Sequence, residues 1–140
     1  MNRTEVDNLE QYGRRNCLVF HGLEETKGED TTQLVIDTVK TKLGLSLDKK
    51  DFDRSHRLGA PAVGRNRPLI AKFTRYVERA SVYRMKKKLK GTGILITESL
   101  TRHRMNIFNQ AMETFGSKKV WTQDGNIFRE GERGKIFVSV

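Results

Sequence analysis

The side chains best placed to do chemistry in this sequence are its cations. Between residues 54 and 90 stand 12 Lys and Arg against a single acid, Glu78, a local charge of +11. The other stretches carry −3 over 1–53, −1 over 91–100 and +3 over 101–140, so this segment holds the whole excess of a chain of net charge +10. A block of one sign repels itself unless an anion neutralises it. The anion that suits spaced guanidinium and ammonium groups is phosphate. The densest part is Arg84, Lys86, Lys87, Lys88 and Lys90, five cations in seven residues. On a helix they would cover most of the circumference and leave Met85 and Leu89, four apart, for the core. Arg65 and Arg67 lie upstream in a loop, and Arg102 and Arg104 downstream.

Other chemistries find less support. His21, His56 and His103 are scattered, and no pair has the spacing of metal ligands on a helix. Cys17 is the only cysteine, which excludes a disulfide framework and a cysteine-based zinc site. No phosphate-cradling G-x-x-x-x-G-K-[ST], no G-x-S-x-G and no paired-carboxylate motif is present. The acidic loop of Glu24, Glu25, Glu29 and Asp30 reads as a solvated loop rather than a cation site. Asn2-Arg3-Thr4 fits a glycosylation pattern, but the first 20 residues lack a signal-peptide apolar stretch. No apolar run approaches the roughly 20 residues that span a bilayer. The expectation is a non-enzymatic protein with no cofactor, no metal and no membrane, in the cytoplasm or nucleus.

A length of 140 residues suits one compact domain or two very small ones. Residues 1–14 are polar, with Val6 and Leu9 three apart, and read as a helical stub, the end of a longer helix. Residues 16–21 read as a strand, with Leu18 and Phe20 on one face and Cys17, Val19 and His21 on the other. Thr31 or Thr32 caps a helix whose stripe is Leu34, Val35, Val39 and Leu43, ended by Gly44. Residues 51–58 alternate as a strand, 59–67 form a Gly/Pro-containing basic loop, and 69–73 form the next strand. Residues 77–89 read as a helix with Val77, Ala80, Val82, Tyr83 and Met85 apolar. Gly91 and Gly93 stop it before a strand over 94–97.

That order is β-α-β-β-α-β over residues 15–100, the pattern of a ferredoxin-like sheet with two helices on one face and the other face open. Residues 101–140 read as a second, C-terminal unit. Thr101 caps a helix over 102–115 with Met105, Phe108, Met112 and Phe115 at helical spacing, followed by strands over 118–123, 126–129 and 135–140. The Asp124-Gly125 pair between apolar runs is a hairpin signal. The fold expected is therefore α+β: an RRM-like βαββαβ sheet with two helices, then a small helix plus a three-stranded antiparallel unit. Trp121, the only Trp, is expected in the small core of that unit.

An open sheet on a basic domain is a platform for single-stranded nucleic acid. Standard RRMs stack bases on aromatics of the two central strands. Here those positions hold Val19 in 18–23, and Pro68 and Ile70 in 67–73, so this is a non-standard RRM. Phosphate contacts should then dominate, giving broad sequence tolerance and strong salt dependence. Neutralising about six phosphates on a single strand gives a log–log salt slope of about −4. With Leu58 inward on a regular strand, Arg54 and Arg57 lie on opposite faces, and Arg57 faces out with Ser55 and Lys72. The alternative for Arg57 is an ion pair with a loop acid. Two rivals stand beside RNA binding: a protein-interaction module using an apolar spot of Val19 and Ile70, and a duplex DNA binder.

Residues 14–25 (RRNCLVFHGLEE), 55–59 (SHRLG), 67–73 (RPLIAKF) and 90–101 (KGTGILITESLT), followed by a helix and a hairpin, resemble the RNA-binding core of the first-open-reading-frame proteins of LINE-type retrotransposons. The resemblance covers about residues 5–140. In that family a coiled coil precedes a non-standard RRM, and a small C-terminal domain follows. The resemblance implies binding of single-stranded RNA with little sequence preference, packaging into a ribonucleoprotein and nucleic-acid chaperone activity. Single-stranded DNA is a further ligand it implies. By matching segments the resemblance implies Arg57, Arg65, Arg67, Lys72, Arg102 and Arg104 as RNA-binding residues, and the charged segment adds Arg54, Arg75, Lys87 and Lys90. The family's long coiled coil is reduced here to Val6 and Leu9, and no closing helix follows Val140. A trimmed core, or a host-gene product derived from such an element, is implied. Trimeric self-association is implied only where a longer coiled coil precedes the chain.

Overall fold

Hydrophobic periodicity divides the chain into a four-stranded and a three-stranded antiparallel sheet with four helices, an α+β protein. The computed structural model describes residues Met1–Ser139. They fall into two compact units: Asn16–Thr97, and Met1–Arg15 together with residues 98–139.

In the Asn16–Thr97 unit, β1 (Cys17–His21) leads to α2 (Thr31–Thr38), after the N-terminal helix α1 (Arg3–Gly13). Asp30, rather than Thr31 or Thr32, caps α2, its carboxylate accepting from the Gln33 N–H at 3.1 Å. A carboxylate there also complements the positive end of the helix. The helix widens into a π turn over Val39–Leu43 and stops at Gly44 in the left-handed conformation. Next come β2 (Phe52–Arg57), β3 (Leu69–Phe73), α3 (Tyr76–Arg84), a 3₁₀ turn over Lys86–Leu89, and β4 (Leu95–Glu98). The strand order is β2-β3-β1-β4. Leu18 and Phe20 of β1 and Leu69, Ala71 and Phe73 of β3 point to one face, where they pack with Val35, Ile36, Val39 and Leu43 and with Val82 and Leu89. Both helical segments therefore lie on the same side of the sheet. Gly22 follows β1 at φ +88, and a Cβ there would sit 2.2 Å from the Gly93 carbonyl oxygen, so the chain needs glycine for this close approach.

Two sequence expectations change in this unit. The cation-rich stretch is not a continuous helix, since α3 ends at Arg84 and Lys86–Leu89 tighten to 3₁₀. Within α3 it is Arg79 and Val82 that are buried, while Val77 is 62% exposed. The helix is only nine residues long, so a single turn decides which side faces the sheet.

The other unit contains α4 (Arg102–Phe115), β5 (Val120–Gln123), β6 (Asn126–Gly131) and β7 (Gly134–Val138), paired in the order β5-β6-β7. Residue 140 of the expected last strand lies outside the described residues. Thr101 caps α4, its hydroxyl accepting from the Arg104 N–H at 3.1 Å. Asp124 and Gly125 both have positive φ, +52 and +78, as a two-residue hairpin turn of the mirror-image type requires. Val120 and Ile127 pack with Ala111, and Ile107, Phe108, Met112 and Val138 close the small core. Met105 and Phe115, which share the helical spacing of Phe108 and Met112, are 39% and 38% exposed. Trp121 is turned away from it on the opposite sheet face, because Val120 takes the inward position and side chains alternate.

The N-terminal helix belongs to this unit through a buried polar network. Asp7 and Gln11, four apart on one face of α1, are buried, whereas Val6 and Leu9 are 42% and 59% exposed. Asp7 accepts from the Thr101 hydroxyl at 2.5 Å and from Arg104 Nε at 2.7 Å. Arg104 also donates to the Gly125 carbonyl at 2.7 Å and to Asn8 Oδ1 at 2.9 Å. The Gln11 amide donates to the Ser99 carbonyl at 2.9 Å and accepts from the Thr101 N–H at 3.0 Å. Burial alone would push the Asp7 carboxyl up, but the Thr101 and Arg104 hydrogen bonds outweigh it and hold the carboxyl below its ordinary value. Residues 1–14 thus carry a polar docking face, while the Val6 and Leu9 side is turned to solvent.

Candidate nucleic-acid interface

The faces of the four-stranded sheet follow from its register. Arg54 lies opposite Lys72 and His56 opposite Ile70, while Ile70 also lies opposite Val19 and Lys72 opposite Cys17. These residues share the face away from the helices. Arg54 and His56 are exposed there, and Ile70 and Lys72 are half-buried. Lys72 stands 3.8 Å from the Asp53 carboxylate, with both side chains substantially exposed. His21 extends the same face, its Nε2 3.0 Å from the Thr97 hydroxyl, and burial holds the imidazole below its ordinary pKa. Val19 and Cys17 are only 8% and 9% exposed, so the centre of the face offers little apolar surface for a base or a protein partner.

Arg57 is on the other face, contrary to the expectation from a regular strand. Phe52 opposes Phe73 and Arg54 opposes Lys72, so the strand carries one extra residue, Asp53, as a bulge. The bulge reverses the alternation beyond it. Ser55 then faces inward opposite Ala71, and Arg57 inward opposite Leu69. The Arg57 side chain is 3% exposed, and all three nitrogens are committed. It donates to Glu29 at 2.7 and 3.0 Å and to the carbonyls of Leu23, Arg67 and Glu24 at 2.9, 2.7 and 3.1 Å. The Glu29 carboxyl is held below its ordinary value by these hydrogen bonds.

Arg67 behaves similarly. Its guanidinium grips Glu25 at 2.6 and 3.0 Å and the Gly59 carbonyl at 2.7 Å. Hydrogen bonds from Arg67 pull the Glu25 carboxyl down to about 2. The acidic loop after β1 is therefore neither empty nor simply solvated: its carboxylates hold two arginines in place. Arg75 pairs with Glu78 one turn along α3 at 2.5 Å, although its side chain stays 69% exposed. Arg104 is buried on Asp7, as described above, and presents no free donor edge to a ligand.

The remaining expected residues are accessible. Arg65 is exposed in the loop between β2 and β3, Lys87 and Lys90 in and after the 3₁₀ turn, and Arg102 in the first turn of α4. Arg84 and Lys88 are exposed beside Lys87. Among the described residues no carboxylate pairs with Arg54, Arg65, Arg84, Lys87, Lys88 or Lys90. The structure brings Arg54 and Lys72 side by side across two strands. It sets the Arg84–Lys90 group apart on the helical side of the sheet. His56 was missed as a member of the outward face because its placement depends on the bulge, which strand alternation alone does not reveal.

Among the described residues no group of three or more His, Cys, Asp or Glu side chains is arranged to hold a metal, and no helix is long and apolar enough to cross a membrane. Comparison of the sequence with protein-family models and with curated proteins gives no match.

Proposed function

We propose that this protein binds single-stranded RNA with low sequence specificity, using a non-standard RRM of ferredoxin-like topology over residues 16–97. The observation that carries the reading is the set of exposed cations Arg54, Arg65, Arg84, Lys87, Lys88 and Lys90, which pair with no carboxylate among the described residues, with Arg54 beside Lys72, itself 3.8 Å from Asp53, on the sheet face away from the helices. The β2-β3-β1-β4 order, with both helices on one side, supports the topology. The scarcity of exposed apolar surface at Val19 favours phosphate contacts over stacking at the sheet centre. Packaging of retrotransposon RNA into a ribonucleoprotein, with chaperone activity, is the wider role we propose from the sequence resemblance.

The test is fluorescence anisotropy with a labelled, unstructured RNA titrated from low to high salt. Micromolar or tighter binding with a slope of about −4 is expected, corresponding to about six neutralised phosphates. Charge reversal at Arg54, Arg65 and Lys72 together should reduce the slope by about 2. A folded triple variant with unchanged affinity and slope would overturn the assignment. A duplex of equal charge that competes as well as the single strand would favour DNA binding instead.

A further inference from the structure

The three-stranded sheet carries a feature that the cation-based reading does not use. Its inward face supplies Val120, Ile127 and Val138 to the core with α4. On the outward face Trp121 lies opposite Phe128, and Phe128 opposite Phe137, giving one aromatic side chain on each of three adjacent strands. The Trp121 and Phe128 rings are stacked at 6.2 Å with 23° between planes, and Phe128 meets Phe137 edge-on at 5.8 Å. Trp121 is 36% exposed and Phe137 55%. Large aromatics held out of a core in a row form a surface that costs solvation unless something covers it.

The surroundings of the row indicate what would cover it. Lys135 places its ammonium 4.8 Å from the Phe128 ring centre. Lys118 and Lys119 precede β5 and Arg133 lies in the turn between β6 and β7, all exposed. By strand alternation the amide side chain of Gln123 shares the outward face with the rings, while its paired residue Asn126 turns its Oδ1 to Arg104 at 3.4 Å. Glu130 on this face is opposite Lys135, and Glu132 shares the β6–β7 turn with Arg133. Two rings of the row, Trp121 and Phe137, are exposed by more than a third, which falls short of the about 800 Å² per partner of a stable protein interface, so a second copy of the chain is poorly matched. Planar rings with cations and an amide beside them match the bases and phosphates of an unpaired strand.

We propose that Trp121, Phe128 and Phe137 form a base-stacking platform for single-stranded nucleic acid, separate from the cations of the four-stranded sheet. The inference rests on the RNA-binding reading and adds to it a stacking component insensitive to salt. Stacking on one ring contributes about tenfold in affinity. Because Trp121 is the only Trp, its emission reports directly on this face.

The experiment uses the full chain with two probes of equal length, oligouridylate RNA and an abasic oligodeoxynucleotide that has phosphates but no bases. Oligouridylate is expected to quench Trp121 emission, and the abasic strand to compete for labelled RNA at low salt without quenching. Trp121→Leu and Phe137→Leu should each weaken RNA binding about tenfold with the salt slope unchanged, and Trp121→Tyr should retain affinity. RNA binding with no change in Trp121 emission, and with both leucine variants at full affinity, overturns the platform while leaving the RNA reading intact. Absence of RNA binding at low salt overturns both. A dimer in the wild type that the leucine variants abolish would assign the row to self-association and also overturn the platform.

Discussion

The pair of Asp7 and Arg104 is the sharpest place to test the organisation of the unit that contains α1. Both side chains are nearly inaccessible, 4% and 6% exposed. Asp7→Ala removes the acceptor of the Thr101 hydroxyl and of Arg104 Nε at once. The guanidinium would keep the Gly125 carbonyl and Asn8 but lose its counter-charge. Stranding one partner of a buried ion pair costs about 3–5 kcal/mol. At a urea dependence of about 1.5–2 kcal/mol per molar, the midpoint should fall by about 2 M. The assay is equilibrium urea unfolding followed by Trp121 emission, which reports on this same unit. Arg104→Met alone should also destabilise, since it leaves Asp7 a buried charge. The double variant Asp7→Leu with Arg104→Met removes both charges and should recover part of the loss. The resulting coupling energy should exceed about 1 kcal/mol. An Asp7→Ala midpoint within about 0.3 M of wild type, or no coupling in the cycle, would mean that α1 does not dock through this network.

Two further outcomes follow from the committed arginines and their carboxylates. Arg57→Lys cannot reproduce the fork that reaches Glu29 and three carbonyls, so it should lower stability by about 2–4 kcal/mol in urea unfolding. The salt slope of RNA binding should remain unchanged; a folded, fully stable variant with a shallower slope would place Arg57 at the ligand after all. Acid should weaken the fold. Asp7, Glu25 and Glu29 all have folded-state values below their unfolded ones, so their stabilisation is complete above the ordinary carboxylate range and is lost as pH falls through the folded values, to about 2 for Glu25. His21, held below 6.5 by burial, acts in the same direction, because the unfolded chain takes up its proton first. Urea midpoints should therefore decline from neutral pH to pH 2, and a midpoint that is flat or rises on acidification would contradict these environments.

Local sequence determined much of this protein. Alternation set the inward faces of β1 and β3 because a two-residue period leaves only one way to bury Leu18, Phe20, Leu69, Ala71 and Phe73. Thr101 announced the start of α4, and Asp124-Gly125 the β5–β6 hairpin, because each supplies a hydrogen bond or a backbone conformation that few residues can. The charge block over 54–90 was legible as composition.

Tertiary structure decided which of those charges remain available. One bulged residue, Asp53, reversed the faces of Ser55 and Arg57, and bulges depend on pairing with a strand distant in sequence. The acids that hold Arg57 and Arg67 come from 28 and 42 positions earlier in the chain. Arg104 is buried because α1 brings Asp7 to it across 97 residues. In a small core, Trp121 points outward because Val120 already fills the inward position against Ala111 and Ile127. Composition and period specify what each segment can do; long-range pairing selects which side chains are consumed in holding the fold and which are left for a ligand.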